Sequence, residues 1–396
     1  MESRVDEDGT LSTYNAAYNS SRNEILESDG NDRIFTEWQP LGPSINTHAT
    51  KAWLGLITSI WVDESNFTTI YAGSNSGGLF VTYDGGEHWE CLTDRYMVTG
   101  VESIEKNALE PNTIYIATGF KGYGVGVLKS TNNGLTWSNT GLNGQSYPKN
   151  FTTKTIQNPI NPKTLFALVN FEFPEKGAKI VRTYNGGEDW VETHDIPEGN
   201  KQDELFEIDI NPADTSNYLV SGSVFLSTID NGMRWLDFTD RIINTTTHRL
   251  VRASTAFHPT IPGKILVILE KLLLSSGASE KDLLLSTDNG LSFTSIAGNT
   301  DLISYGNEKM EIEWSKTYQD HFYLGGWYIG KYKLLSGNSV QYISVGNPYH
   351  VDIREMKTYK DASGQGYIFQ GNDGGITKGL ESDPCQFHGV TSAETG

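Results

Sequence analysis

The fold of this protein is decided by the stretch Thr82-Tyr83-Asp84-Gly85-Gly86-Glu87-His88-Trp89. Its pattern is Ser or Thr, any residue, Asp or Asn, any residue, Gly, two further residues and an aromatic residue. Asp-Gly and Asn-Gly steps favour hairpin turns, because Gly accepts a positive φ and the Asx side chain caps nearby backbone N–H groups. The pattern occurs five times, and we call the five segments the Asx-Gly turns. The later copies are Ser130–Trp137, Thr183–Trp190, Thr228–Trp235 and Ser286–Phe293.

The polar and aromatic residues of the Asx-Gly turns are predicted to build the fold. The Ser or Thr hydroxyl can bond the Asx side chain, and the aromatic ring supplies a large apolar surface for packing. We therefore assign a structural role to Asp84, Trp89, Asn132, Trp137, Asn185, Trp190, Asp230, Trp235, Asp288 and Phe293.

A second recurring segment gives a fuller count of the repeats. The strand-like Thr69–Gly73, with its preceding turn, has counterparts up to 361–371, which makes seven units, five of them with an Asx-Gly turn. Alternating apolar residues between turn signals indicate four strands in a unit. Units of this size are typical of propeller blades. We predict an all-β fold, a seven-bladed β-propeller of four-stranded antiparallel blades spanning 34–382, after a mobile acidic leader (1–33) and before an irregular tail (383–396).

The end of the predicted ring has a gap that the beginning of the chain can fill. The seventh unit lacks a clear last strand, whereas residues 35–42, with Trp38, look like a last strand without a turn before it. We therefore expect this N-terminal strand to complete the last blade and to protect its edge from aggregation.

Composition excludes several functions. The chain of 396 residues has a net charge of −19, which disfavours nucleic-acid binding and attachment to anionic membranes. No apolar run has the roughly 20 residues of a membrane helix, so membrane insertion is not expected. We expect no cofactor and no metal. Cys91 and Cys385 lack metal-ligand or redox spacing, and they are either two unrelated thiols or a disulfide that reinforces ring closure.

The five motifs resemble the Asp-box (BNR) repeats, over about residues 35–380. This resemblance implies the propeller fold shared by sialidases, sortilin-type receptor domains, xyloglucan-cleaving glycosidases and a photosystem assembly factor. The assembly factor uses an arginine-rich patch, which this acidic chain does not suggest. The segments Ile70–Gly73 and Gly371–Ile376 look most like secreted bacterial surface propellers, many exported by the type IX system. We therefore expect an extracellular or cell-surface location, although the first residues lack the apolar core of a signal peptide.

The position of the Asx-Gly turns indicates where a ligand would bind. They lie between the third and fourth strands, so the opposite face consists of second-to-third strand turns and blade-to-blade links. Aromatic and polar residues of those loops suit a carbohydrate or a protein ligand. The candidates are Trp53, Asn75, Tyr123, Arg252, Trp327, Tyr328, Asn372 and Asp373.

A binding module is the preferred interpretation, and a glycoside hydrolase is the alternative. Hydrolysis requires two carboxyl groups about 5 to 10 Å apart. The xyloglucan-cleaving family has an Asp in a first-blade turn, where this chain has Asn75, and Asp373 is one residue out of register in the last blade. Glu308, Glu311 and Glu313 are acidic candidates near Asp373, although nothing in the sequence pairs them. Sialidases need three arginines, for which Arg95, Arg249 and Arg252 are available without a recognisable frame.

Overall fold

A computed structural model describes residues 55–96, 98, 100–119, 124–143, 150–171, 177–196, 204–296, 310–346 and 352–389, without the side chains of 150–153, 344–346 and 383–389. Within these ranges the chain forms 28 β-strands and one four-residue helix, α1 (Thr239–Ile242). The described residues contain no helix of the length and apolar character that would cross a membrane.

The strands follow one another in seven groups of four. Blades one to three consist of β1 (Ile57–Val62), β2 (Ile70–Ser74), β3 (Gly78–Thr82), β4 (Glu90–Cys91), β5 (Val101–Lys106), β6 (Ile114–Thr118), β7 (Gly126–Ser130), β8 (Ser138–Asn143), β9 (Asn150–Gln157), β10 (Leu165–Phe171), β11 (Gly177–Thr183) and β12 (Val191–Ile196). Blades four and five consist of β13 (Leu205–Ile210), β14 (Tyr218–Gly222), β15 (Phe225–Thr228), β16 (Leu236–Asp237), β17 (His248–Phe257), β18 (Ile265–Leu273), β19 (Ser279–Ser286) and β20 (Thr294–Ser295). Blades six and seven consist of β21 (Glu311–Trp314), β22 (His321–Gly325), β23 (Ile329–Leu335), β24 (Ser339–Gly346), β25 (Ile353–Lys360), β26 (Gly366–Asn372), β27 (Gly375–Leu380) and β28 (Asp383–Gly389).

Each group of four strands forms a separate antiparallel sheet in which neighbours in sequence are neighbours in space. The first strand of every sheet contacts the first strands of the two adjacent sheets, and β25 contacts β1. The seven sheets therefore form a closed ring around a central channel lined by the first strands, which we call the inner strands. The predicted all-β, seven-bladed propeller is confirmed.

The hydrophobic core is divided among the seven junctions between blades. Alternate residues of a strand point to opposite faces of its sheet, so each blade packs against both neighbours. Among the described residues, seven separate apolar clusters result, one for each junction. The junction between blades five and six, for example, buries Trp314, Phe322 and Leu266. The ring is thus stabilised by packing all the way round.

The five Asx-Gly turns share three hydrogen bonds. In the first, Thr82 Oγ1 donates to Asp84 Oδ1 at 2.7 Å and accepts from Gly86 N at 2.9 Å, while Asp84 Oδ1 accepts from His88 N at 3.0 Å. The equivalent bonds of the other four turns are 2.8 to 3.0 Å long. The Asx oxygen and the hydroxyl therefore satisfy backbone N–H groups within the same turn.

Turns between the third and fourth strands also bind the preceding blade. Gly186 O, in the Asx-Gly turn of blade three, accepts hydrogen bonds from Tyr115 Oη at 3.1 Å and Lys129 Nζ at 3.0 Å of blade two. Blade seven has no Asx-Gly turn, yet Glu381 O accepts from Tyr323 Oη at 3.3 Å and Lys331 Nζ at 2.6 Å of blade six. A backbone carbonyl makes this contact, so the contact survives without the motif.

The outer strand of blade seven differs from the prediction. β28 pairs with β27 in antiparallel register, so residues 383–389 are a strand and not part of an irregular tail. The C-terminal segment therefore fills the position that we assigned to the strand around Trp38, and residues 35–42 lie outside the described residues. β28 contains Pro384 and lacks a clear alternation of apolar and polar residues, so the sequence pattern did not predict a strand here. An outermost strand tolerates Pro because only one of its edges is hydrogen-bonded.

Side-chain packing closes the seam between blades one and seven. The Phe67 ring of blade one lies 5.2 Å from the Tyr367 ring and 6.3 Å from the Tyr359 ring, centroid to centroid. A salt bridge of 3.0 Å joins Lys316 Nζ to Glu64 Oε1 across the rim of the same region. Among the described strands none is exchanged between blades, so the seam relies on these side chains.

Candidate functional site

The propeller has two faces with different loops. The first and third strands of each blade run toward the face that carries the Asx-Gly turns, which we call the lower face. The second-to-third strand turns lie at the opposite, upper face, where the inner strands begin.

The inner strands carry a β-bulge near the upper face in six of the seven blades as described. Each bulge shifts the pairing with the second strand by one residue. A bulge bends its strand and redirects side chains. Phe206 and Glu207 are adjacent in sequence, and both line the central channel as a result. The extra residues are Thr58, Glu102, Thr153, Phe206, Val251 and Arg354.

The bulged segments surround a cavity of about 80 Å³, which we call the cup. Because it is formed by the early parts of the inner strands, it lies in the upper half of the channel. Every blade contributes at least one residue. The lining consists of Thr58, Glu102, Lys154, Phe206, Glu207, Arg252, Ala253, Ser254, Met310, Glu311 and Glu355.

Lys154 links three blades across the channel. Its Nζ lies 3.1 Å from Glu207 Oε1 of blade four and 3.1 Å from Glu355 Oε2 of blade seven. Burial lowers the pKa of the ammonium, but the charges of Glu207 and Glu355 outweigh burial and raise that pKa above its ordinary value. Lys154 therefore remains charged and holds two carboxylates on opposite walls of the cup.

Arg252 forms another part of the cup wall. Its guanidinium lies over the Phe206 ring, 4.2 Å from the centroid, which is a cation–π contact. Burial lowers the pKa of Arg252, and the carboxylates of Glu311, Glu204 and Glu270 oppose that shift. The cup thus already holds one guanidinium against an aromatic ring and among acidic groups.

A second layer of charge follows further along the inner strands, below the cup. It contains three carboxyl groups and Lys357. Burial raises the pKa of Glu105 to about 7, and burial with the charge of Glu207 raises the pKa of Asp209 to about 7. Burial also raises the pKa of Glu313, whereas the charge of Glu355 raises that of Lys357. Part of this layer is therefore protonated near neutral pH.

Two predicted aromatic residues lie on the upper face. Trp327 and Tyr328 form the second-to-third strand turn of blade six, with 48% and 39% of their surfaces exposed. Backbone bonds hold this turn against the start of blade seven, since Asp352 N donates to Trp327 O and Ile353 N donates to Gly326 O. The two rings are therefore available to a ligand on a fixed turn.

The other predicted ligand-binding residues make contacts within the protein, line the cup or lie outside the described residues. Asp373 forms a two-pronged salt bridge with Arg354, at 2.9 and 3.3 Å. Asn372 is buried, and its Oδ1 accepts from Gly374 N to shape the turn. Asn75 joins its turn to the start of β1, because its backbone N donates to Leu56 O. Of the eight ligand-binding candidates, the cup lining includes Arg252 alone, and of the acidic candidates it includes Glu311. Glu308 lies outside the described residues. Trp53 and Tyr123 lie outside the described residues.

Most charged residues of the cup were not predicted, because the ligand-binding candidates were sought among loop residues. Glu102, Lys154, Glu207 and Glu355 lie within inner strands, and the bulges that direct them into the cup have no sequence signature here. The sequence nevertheless contains one indication of these residues. Almost every repeat has a charged residue in its first strand, whereas a strand packed on both faces is expected to be apolar.

Among the described residues, one group has metal-ligand geometry, and it lies on the lower face. It consists of Asp84, Glu87 and His88, all exposed. Asp84 is already engaged in its turn and also contacts His88 Nδ1 through Oδ2 at 2.7 Å. The carboxylates of the cup do not converge closely enough to form such a group among the described residues.

The ring of seven four-stranded sheets makes this chain a seven-bladed β-propeller. The sequence matches no protein-family profile and no curated protein sequence. Solved structures nevertheless share the fold at low sequence identity. An ancestral GH74 enzyme superposes with a TM-score of 0.65 and 13% identity, over 87% of this chain and 46% of the enzyme. This chain thus spans slightly less than half of that enzyme.

Two structures of YCF48 are also similar. YCF48 bound to D1 peptide has a TM-score of 0.53 and 15% identity, over 82% of this chain and 93% of YCF48. YCF48 from Cyanidioschyzon merolae has a TM-score of 0.51 and 15% identity, over 82% of this chain and 96% of YCF48. At these identities the likeness concerns the fold, and a shared fold does not fix a shared activity.

Proposed function

We propose that this protein is a binding propeller that holds a carbohydrate or a protein ligand on its upper face, over the cup. One observation carries the proposal. All seven blades contribute to a single polar cavity whose lysine is fixed between two carboxylates. Such a preorganised group of polar side chains in a concave site is typical of ligand recognition. The exposed rings of Trp327 and Tyr328 supply additional contact area on the same face.

The structural neighbours support both ligand classes. One of them is a GH74 enzyme and another is bound to a peptide. The resemblance to Asp-box propellers adds an extracellular or cell-surface location to the proposal. Detection of the tagged full-length protein in the medium or on intact cells tests that location, and its confinement to the soluble interior contradicts it.

A screen against a glycan array and a peptide library tests the binding function. A neutral or acidic ligand of the upper face should bind Arg252→Gln at least about tenfold more weakly, because a charged hydrogen-bond donor is lost. A basic ligand should bind this variant no more weakly than the wild type, because a repelling positive charge is lost. Arg234→Gln is the matched control, since Arg234 is an exposed arginine of the lower face. Equal weakening by the two variants, or no ligand in either library, contradicts the proposal.

A glycoside hydrolase is the second candidate, and one distance favours it. Glu207 and Glu355 oxygens are both 3.1 Å from Lys154 Nζ, so these two oxygens are at most about 6 Å apart, a range that includes the separation of about 5 to 5.5 Å in retaining glycosidases. Lys154 disfavours this function, because its ammonium forms salt bridges with both carboxyl groups and such enzymes need one of them to act as an acid.

Hydrolysis assays separate the two candidates. We expect no turnover of xyloglucan or sialosides by the wild-type protein. Turnover that disappears in both Glu207→Gln and Glu355→Gln would establish the hydrolase instead. The Glu188→Gln variant, at an exposed lower-face position, controls for a contaminating enzyme.

A further inference from the structure

We infer that the cup is a receptor for a positively charged side chain, a lysine or an arginine of a basic protein segment. This inference rests on the proposed binding function and narrows it to a protein ligand. The first observation that supports the inference is the composition of the cavity. Four carboxylates line it against two cations, so the cup has an excess of negative charge. The lining carboxylates are Glu102, Glu207, Glu311 and Glu355.

The cup already binds cations of its own chain in two ways. The Lys154 ammonium lies 3.1 Å from each of two carboxylates on opposite walls. The Arg252 guanidinium stacks on Phe206 at 4.2 Å with carboxylates around it. Both arrangements are chemically suited to lysine and arginine side chains from a partner, because the same acidic groups and ring face the cavity.

The overall charge of the chain increases the preference of the cup for a cation. The layer below the cup contributes little net charge, because burial leaves part of its three carboxyl groups protonated near neutral pH and Lys357 is positively charged. The whole chain has a net charge of −19, which accelerates the encounter with a basic partner. A charged group entering a narrow channel between protein walls is attracted more strongly than on an open surface.

The shape of the cavity favours a side chain over a sugar ring or a bare metal ion. About 80 Å³ accommodates a narrow cationic tip, and Phe206, Met310 and Ala253 provide apolar contacts for its aliphatic stem. A divalent metal ion requires several oxygens that converge on one point, and within the described residues the cup has no such group. The cup therefore suits a larger cation with an apolar stem.

Peptides of matched length provide the test. Tetralysine and tetraarginine with blocked ends are titrated into the full-length protein, beside tetra(acetyl-lysine) and tetracitrulline. The two basic peptides should bind at least about tenfold more tightly than their neutral counterparts, because the carboxylates attract the charge. This comparison uses the wild-type protein, so no effect on folding can obscure it. Equal binding of the neutral peptides overturns the inference.

Charge-neutral variants locate the binding. Glu102→Gln and Glu311→Gln should each weaken tetralysine binding about tenfold, whereas Glu188→Gln, which removes one exposed charge from the lower face, should not. Equal weakening by all three variants shows diffuse attraction to an acidic protein and overturns the inference. Calcium binding to the cup that Glu311→Gln abolishes, in the absence of peptide, also overturns it.

The inference and the proposed function can fail separately. A neutral glycan or neutral peptide that binds in an Arg252-dependent manner contradicts the inference and leaves the binding function intact. The absence of any upper-face ligand, basic or neutral, removes both.

Discussion

Carboxylates are abundant both in the Asx-Gly turns of the lower face and in the cup of the upper face, but they have different partners. In a turn, Asp84 accepts hydrogen bonds from the hydroxyl and a backbone N–H of its own eight-residue segment. In the cup, Glu207 and Glu355 meet a lysine from a third blade. The Asp84 side chain finds these partners within its own turn, whereas the cup brings together charges that are distant in sequence. We therefore regard the Asx-Gly turns as structural elements and the cup as a site of ligand recognition.

The strongest test of this comparison removes the lysine that joins the cup. Lys154→Met should lower the free energy of unfolding by about 3–5 kcal/mol at pH 8, because Glu207 loses this salt bridge inside the channel and Glu355 keeps the one to Lys357. The loss should shrink toward pH 5, because protonation removes the cost of a buried carboxylate without a counter-ion. Urea unfolding at the two pH values measures both effects.

A lysine on the third strand of blade three, β11, provides the control for this variant. Lys179 Nζ also has two acidic neighbours, Glu192 at 2.7 Å and Asp195 at 3.9 Å. Because the pair lies near solvent, Lys179→Met should cost no more than about 1 kcal/mol. Similar losses for the two variants would contradict a special role for Lys154.

A glycine of the lower face tests how tightly a turn is built. Gly232 has a φ of +75°, and an added Cβ would lie 2.6 Å from a carbon of the Phe166 ring. Gly232→Ala should therefore destabilise the protein by about 2–4 kcal/mol, from backbone strain and overpacking together. Gly277 has a similar φ of +71° with open space around it, so Gly277→Ala should cost about 1 kcal/mol. Equal costs in urea unfolding would show that packing against the ring is unimportant.

The acidic layer below the cup should make stability depend on pH. The pKa of Asp209 is about 7 in the folded protein against 3.8 for an ordinary aspartate, so the folded state binds more protons between these values. The free energy of unfolding therefore decreases as the pH rises from about 4 to about 7. Asp209→Asn should remove this loss and stabilise the protein by about 1–2 kcal/mol at pH 8, with part of the effect screened by channel water, and have little effect at pH 4.

Thermal unfolding across that pH range measures the effect. The matched control is Asp195→Asn on the outer strand β12, where the carboxylate is half-exposed. A gain for Asp195→Asn equal to that for Asp209→Asn would indicate a general effect of net charge instead of the buried layer.

The smallest expected effect on stability is that of Trp327→Ala. Nearly half of the ring is exposed, so its removal should change the free energy of unfolding by no more than about 0.5 kcal/mol. Binding of an upper-face ligand should weaken at the same time. A large loss of stability, with ligand binding unchanged, would show that the ring serves the fold.

The sequence predicted the blades well because a blade is defined by short-range signals. The Asx-Gly turn contains its own hydrogen-bond partners within eight residues, and strand alternation is visible in each repeat. The last strand of blade seven was predicted incorrectly, because β28 is recognised by its pairing with β27 and not by its composition. Of the site, sequence reasoning identified Arg252, Glu311 and the exposed pair Trp327 and Tyr328. It did not identify Lys154, Glu102, Glu207 or Glu355.

The amino-acid sequence by itself determined the all-β class, the number of blades and the face on which the turns lie, since each follows from a pattern repeated along the chain. Only the tertiary structure decided which residues share the channel. Lys154, Glu207 and Glu355 lie in three different blades, and they meet because the ring closes and the bulges direct side chains inward. Contacts of that kind depend on the positions of all seven blades at once, and no local pattern contains them.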